Sequence, residues 1–201
     1  MHQGYPAAAI AVLAERLQNC GGVWVVGGST GLAVRGARLD RPPRDLDIYA
    51  DETDMDAIHR RLTEYALDTP TPSQTGQYRS RLSHYSVEGT VVELVGGFEV
   101  RAGGSLYRTE VREMLDPYGE DFHVNGQKVK VVPLAHELLF NVLRERGDRT
   151  ELAASLIREQ PDRHLPVLNI LLERNDLSAE TAERLRRLTA GAGRSMKAGA
   201  E

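Results

Sequence analysis

The chain has 201 residues, 41% of them hydrophobic, and 25 basic against 29 acidic side chains give a formal charge of −4. That length suits one domain, or a core domain with a helical extension. A single cysteine, Cys20, excludes an internal disulfide framework and fits a reducing, cytoplasmic setting. The longest apolar runs, such as Gly21 to Gly28, are far too short to span a bilayer, no signal peptide is expected at the start, and the mildly acidic balance speaks against a broad nucleic-acid-binding face.

Residues 6–19 predict an amphipathic helix, with Ile10, Leu13 and Leu17 at spacings of three and four, ended by Gly21-Gly22. Val23-Trp24-Val25-Val26 reads as a strand buried on both faces, and Gly27-Gly28-Ser29 turns it into a helix over 29–36. An Arg- and Pro-rich loop, 37–44, leads to a strand from Asp45 to Ala50 with alternating faces. A helix over 54–67 follows, with Thr53 and Asp56 as a capping box. Residues 68–76, with two prolines, read as loop.

Tyr78 to Val87 and Thr90 to Val95 predict a hairpin about Glu88-Gly89, and Phe122–Val124 with Gln127–Val132 a second one about Asn125-Gly126. The stretch from Gly96 to Asp116 gives no clear pattern. From Pro133, placed at a first helical position, the chain reads as helix: 134–143, then about 149–159, 163–174 and 178–190, with Ser178 as an N-cap. The order predicts an α+β (α/β) fold: a mixed β-sheet core over 1–132 with flanking helices, a C-terminal helical region over 133–190 and a disordered tail, 191–201.

The chemistry concentrates in two segments. Gly27 and Gly28 let the backbone approach a ligand closely, and the free amides of the following helix start, with Ser29 Oγ, suit a phosphate. Asp45 and Asp47, at i and i+2 on a strand, share a face while Leu46 and Ile48 turn to the core. Two carboxylates side by side repel unless a cation lies between them, and Mg²⁺ or Mn²⁺ prefers such oxygens while keeping positions open for substrate phosphates. Glu93, an acid inside the apolar strand 90–95, is a third candidate, with Glu99 as its alternative. Arg41 and Arg44 are candidates for holding phosphate charge, or form a solvated loop.

Gly27-Gly28-Ser29, fifteen residues, then Asp45-Leu46-Asp47-Ile48 and a later acid on a strand resemble the nucleotidyltransferase superfamily of the DNA polymerase β type. The run Arg41-Pro42-Pro43-Arg44-Asp45, with Leu32 and Gly36 before it, is similar to lincosamide and aminoglycoside nucleotidyltransferases and to related uncharacterised bacterial proteins. The resemblance implies that Gly28 and Ser29 hold the nucleotide's phosphates. It implies that Asp45, Asp47 and Glu93 bind divalent metal, Glu93 helping the metal or acting as general base. The implied reaction is transfer of a nucleoside monophosphate from ATP or another NTP to a hydroxyl, on a small molecule first of all, with no membrane partner, and a homodimer is compatible with it. Two alternatives stand beside it: a toxin-like transferase acting on tRNA or protein, and a non-catalytic nucleotide-binding or interaction module of the same fold.

Other features carry less. The six histidines are scattered, and His136-Glu137 lacks the second His of a zinc-protease helix because Phe140 stands there. The acidic run Asp51–Asp56 lacks the glycine and spacing of a calcium loop and reads as acids at a helix start. Cys20 reads as packing rather than nucleophile, and Arg184, Arg186 and Arg187 as a solvated helix face.

Overall fold

The computed structural model describes residues 4–190. The segment expected to be a disordered tail, 191–201, lies outside the described residues. In chain order the elements are α1 (Ala7–Arg16), β1 (Trp24–Val26), α2 (Gly28–Val34), β2 (Asp45–Ala50), α3 (Met55–Leu62), β3 (Thr71–Gln74), β4 (Tyr78–Val87), β5 (Thr90–Ala102), β6 (Ser105–Arg108), a π-helical turn (Val111–Leu115), β7 (Glu120–Val124), β8 (Gln127–Val131), α4 (Leu134–Leu143), α5 (Gly147–Glu159), α6 (Pro161–Arg174) and α7 (Ala179–Thr189).

The strands form one mixed sheet in the order β3-β4-β5-β2-β1-β8-β7, with β6 pairing to β5. β2 lies antiparallel to β1 and parallel to β5, in a register that sets Asp45 beside Val91 and Asp47 beside Glu93. Alternation along β2 sorts its side chains. Leu46 and Ile48 enter a core with Ile10, Leu13, Met55, Ile58 and Leu62 of α1 and α3. Asp45, Asp47 and Tyr49 face the other way. On that opposite face Tyr49 packs with Val25, Val95, Val111, Leu115 and Val132. The hydrophobic cover stops there, and the face stays open over the two aspartates. The C-terminal helices form a third cluster that takes in Leu32, Val100, Tyr107 and Met114 of the sheet region.

Both hairpins form where the turn residues require them. Glu88 and Gly89 have φ of 50° and 73°, and Asn125 and Gly126 have 47° and 81°, the paired positive angles of a type I′ turn. Ser178 caps α7, its Oγ accepting from the Thr181 N–H at 3.2 Å. Ser178→Ala should cost about 1 kcal/mol of stability, read as a lowered thermal midpoint.

Several local expectations fail for identifiable reasons. The Pro-bearing stretch 68–76 contains the edge strand β3, where Pro72 is tolerated because one side of an edge strand needs no partner. Thr53 and Asp56 form no capping box: Thr53 lies inside a 3₁₀ turn (Glu52–Asp54), Asp54 precedes α3, and no side chain caps it. The acids of that run bond across the fold instead. Asp51 accepts from the N–H groups of Val111 and Arg112, at 2.8 and 3.0 Å, and Asp54 accepts from Val23 N–H at 3.0 Å and pairs with Arg112 at 2.8 Å. Pro133 precedes α4 with ψ of 145° rather than opening it. The unpatterned stretch 96–116 is the continuation of β5 past Gly96-Gly97, then β6 and the π-helical turn.

Candidate active site

A cavity of about 620 Å³ opens on the uncovered face and is lined by the β1–α2 turn, the 40–44 loop, β2, β5 and the α4–α5 corner. The turn is pinned to β2: Gly27 N–H donates to the Asp47 carbonyl at 3.0 Å, and Thr30 Oγ1 donates to the Asp45 carbonyl at 3.1 Å. Each glycine has its own reason. A Cβ at Gly27 would overlap the Tyr49 ring, and one at Gly28 would overlap Asp47 Oδ2, while Gly28 also has φ of +62°. The backbone therefore presses directly against the carboxylate that follows it on the neighbouring strand.

Gly28, Ser29, Arg41, Arg44, Asp45, Asp47 and Glu93 all line this cavity, and Gly27 supports the turn from behind. Glu99 does not: it lies farther along β5, where it pairs with Arg79, Arg101 and Arg108 at 3.6, 3.5 and 3.2 Å. Among the described residues no Lys or Arg comes within ion-pair distance of Asp45, Asp47 or Glu93; the nearest partner is His84 Nε2, 4.0 Å from Glu93 Oε1.

The electrostatics follow from that lack of partners. Burial pushes the Asp47 carboxyl up to about 8, and the nearby Asp45, Glu93 and Glu137 add to it. Glu93 is raised as well, by burial and then by Asp45. Such a site fits a cation, because hard carboxylate oxygens are present and their repulsion is otherwise relieved only by protonation. Among the described residues no group of three or more His, Cys, Asp or Glu side chains closes into a ready-made metal cage.

The C-terminal helices add residues that the motif does not contain: Glu137, Phe140, Asn141 and Arg144 on and just after α4, with Arg146, Asp148 and Arg149 at the start of α5. Glu137 is fully buried, held up at about 7 by burial, while the Gly28 N–H and the Asn141 amide favour its charged form. Among the described residues its Oε1 has no hydrogen-bond partner, and neither does the buried Nε of Arg149. All ten residues of α4 are buried. The signal for these residues is the pair Glu137 and Asn141, one turn apart in a helix whose other residues, His136 excepted, are apolar.

The mixed sheet and the turn-to-aspartate geometry define the nucleotidyltransferase fold. A candidate nucleotidyltransferase of Thermotoga maritima superposes with a TM-score of 0.58 at 23% identity, over 75% of this chain and 91% of that one. A structure of ANT(2″)-Ia in complex with adenylyl-2″-tobramycin superposes with a TM-score of 0.50 at 9% identity, over 84% of this chain and 97% of that one. The profile of the aminoglycoside-2″-adenylyltransferase family matches residues 9–153, and the chain belongs to that family. It is a nucleotidyltransferase. No curated protein matches it.

Among the described residues no helix is long and apolar enough to cross a membrane.

Proposed function

We propose that the protein transfers a nucleoside monophosphate from an NTP, ATP first of all, to a hydroxyl of a small molecule, in a reaction that depends on Mg²⁺ or Mn²⁺. The observation that supports this best is the register of β2 and β5, which sets Asp47 beside Glu93 on the open face, with Gly28 packed on Asp47.

Asp45 and Asp47 would hold the divalent ion. When bound, it would neutralise phosphate charge and stabilise the departing oxygen. Gly28 and Ser29, at the turn, would hold the phosphates with backbone amides and Oγ. Arg41 and Arg44 from the loop, facing Arg144, Arg146 and Arg149 from the α4–α5 corner, would grip the pyrophosphate portion from two sides. Glu93, raised in pKa and a third exposed, is suited to receive a proton. The acceptor oxygen attacks the α-phosphorus, its proton passes to Glu93, and the bond to the β-phosphate breaks to release pyrophosphate.

The family and the tobramycin adduct of its structural neighbour make an aminoglycoside the acceptor to test. Incubation with Mg²⁺, labelled ATP and tobramycin should give adenylylated tobramycin and pyrophosphate, and EDTA should stop it. No transfer under these conditions would overturn the reading. Glu93→Gln should lower kcat by roughly 10²- to 10⁴-fold with little change in nucleotide affinity, checked by steady-state kinetics and calorimetry.

A further inference from the structure

The outer flank of Glu93 carries an acid–histidine pair that the reaction above leaves unused. His84 on β4 is the direct cross-strand neighbour of Glu93 on β5. Paired residues of an antiparallel ladder share a face, so His84 stands on the same side of the sheet as the aspartates, while Ser83 and Tyr85 are buried against the other face. Asp68 holds His84 twice: Oδ1 accepts from the His84 backbone N–H at 2.7 Å, and Oδ2 meets Nδ1 at 2.6 Å. An ionised carboxylate can only accept, so the hydrogen sits on Nδ1, and in the neutral ring Nε2 presents its lone pair towards Glu93.

The distance from Nε2 to Glu93 Oε1 is 4.0 Å, too long for a hydrogen bond between them. With the ring neutral, two acceptors therefore stand side by side, each about a third exposed (32% and 33%), Glu93 lining the cavity and His84 flanking Glu93. Val91, 42% exposed, is next along the same face of β5. A lone hydroxyl brings one hydrogen and can satisfy only one of the two. Two donors on adjacent carbons satisfy both.

We infer that His84 and Glu93 together form the acceptor subsite, which takes the reacting hydroxyl together with a second donor, an amine or hydroxyl, on the neighbouring carbon. Asp68 is the positioning residue that fixes the ring. The inference rests on the proposed transfer to a small-molecule hydroxyl. The reacting hydroxyl gives its proton to Glu93, and Nε2 accepts a hydrogen bond from the neighbouring group without taking its proton. An acceptor with a bare carbon beside the hydroxyl leaves Nε2 unpaired and is disfavoured.

The test uses the full chain with Mg²⁺, ATP and tobramycin, which carries hydroxyls beside amine-bearing carbons. His84→Asn keeps a donor where Nδ1 meets Asp68 but loses the Nε2 position, whereas His84→Gln can place an acceptor near it. His84→Asn should lower kcat/KM for tobramycin by roughly 10- to 100-fold, mainly through KM for tobramycin, with KM for ATP unchanged. His84→Gln should recover a large part of that loss, and Asp68→Asn should fall between. If His84→Asn and Asp68→Asn match the wild type while Glu93→Gln is impaired, the subsite is overturned and the transfer reaction stands. Equal rises in KM for ATP and for tobramycin would show general damage and also overturn it. A wild-type protein that does not adenylylate tobramycin overturns the transfer reading, and the subsite falls with it.

Discussion

Asp47→Asn should abolish Mg²⁺-dependent nucleotide binding and, in the metal-free protein, raise the melting temperature at pH 8. Asp47 is half-buried, and its desolvation, with Asp45, Glu93 and Glu137 nearby, lifts its carboxyl to about 8 from the 3.8 it has when exposed. Between those two pH values the folded state keeps a proton that the unfolded state has released. Stability therefore falls as pH rises through that window, by at most about 1.4 kcal/mol per pH unit, and levels off above it. Asn carries no charge at any pH and escapes this loss. The variant should melt above the wild type at pH 8, and the difference should close towards pH 4. Mg²⁺ with ATP should raise the melting temperature of the wild type at pH 8 and leave the variant unmoved. A difference that persists at pH 4, or a variant that binds Mg²⁺ and ATP as tightly as the wild type, would count against Asp47 as the metal-binding carboxylate.

The second large effect is expected at Gly28. Its φ of +62° is strained for any residue with a Cβ, and that Cβ would overlap Asp47 Oδ2. Gly28→Ala must therefore move either the turn or the aspartate. The backbone strain should cost about 1–3 kcal/mol of stability, and displacement of the carboxylate should cost roughly 100-fold in turnover. Gly36 separates the two causes. It also has positive φ, +85°, but its Cβ would meet nothing within 4 Å. Gly36→Ala should lose stability alone. Equal losses of turnover in the two variants would show that strain, not the collision with Asp47, is responsible.

Much of the site is legible in the sequence because it depends on local rules. Period-2 alternation puts Asp45 and Asp47 on one face and Leu46 and Ile48 on the other. The same rule frees Glu93 from the apolar face of β5, where Val92 and Leu94 are buried. The two hairpins were legible because Glu88-Gly89 and Asn125-Gly126 tolerate positive φ. The strand β3 was not legible, since Pro70 and Pro72 argue against a strand unless it is known to lie at an edge. Glu137 and the α4–α5 arginines belong to no local motif. They meet the cavity only because α4 docks against the sheet.

The sequence by itself determined the turns, the faces of the strands and the paired aspartates, since each follows from dihedral preference and side-chain period over a few residues. Only the tertiary structure decided that β5 lies beside β2 with Glu93 opposite Asp47, that Glu99 is taken up by arginines, and that His84, held by Asp68, flanks Glu93. It also decided that Asp47 is desolvated and surrounded by acids, which raises its carboxyl. Strand neighbours and desolvation are set by segments distant in the chain that pack together to remove apolar surface from water. No pattern within one segment encodes which of them will meet.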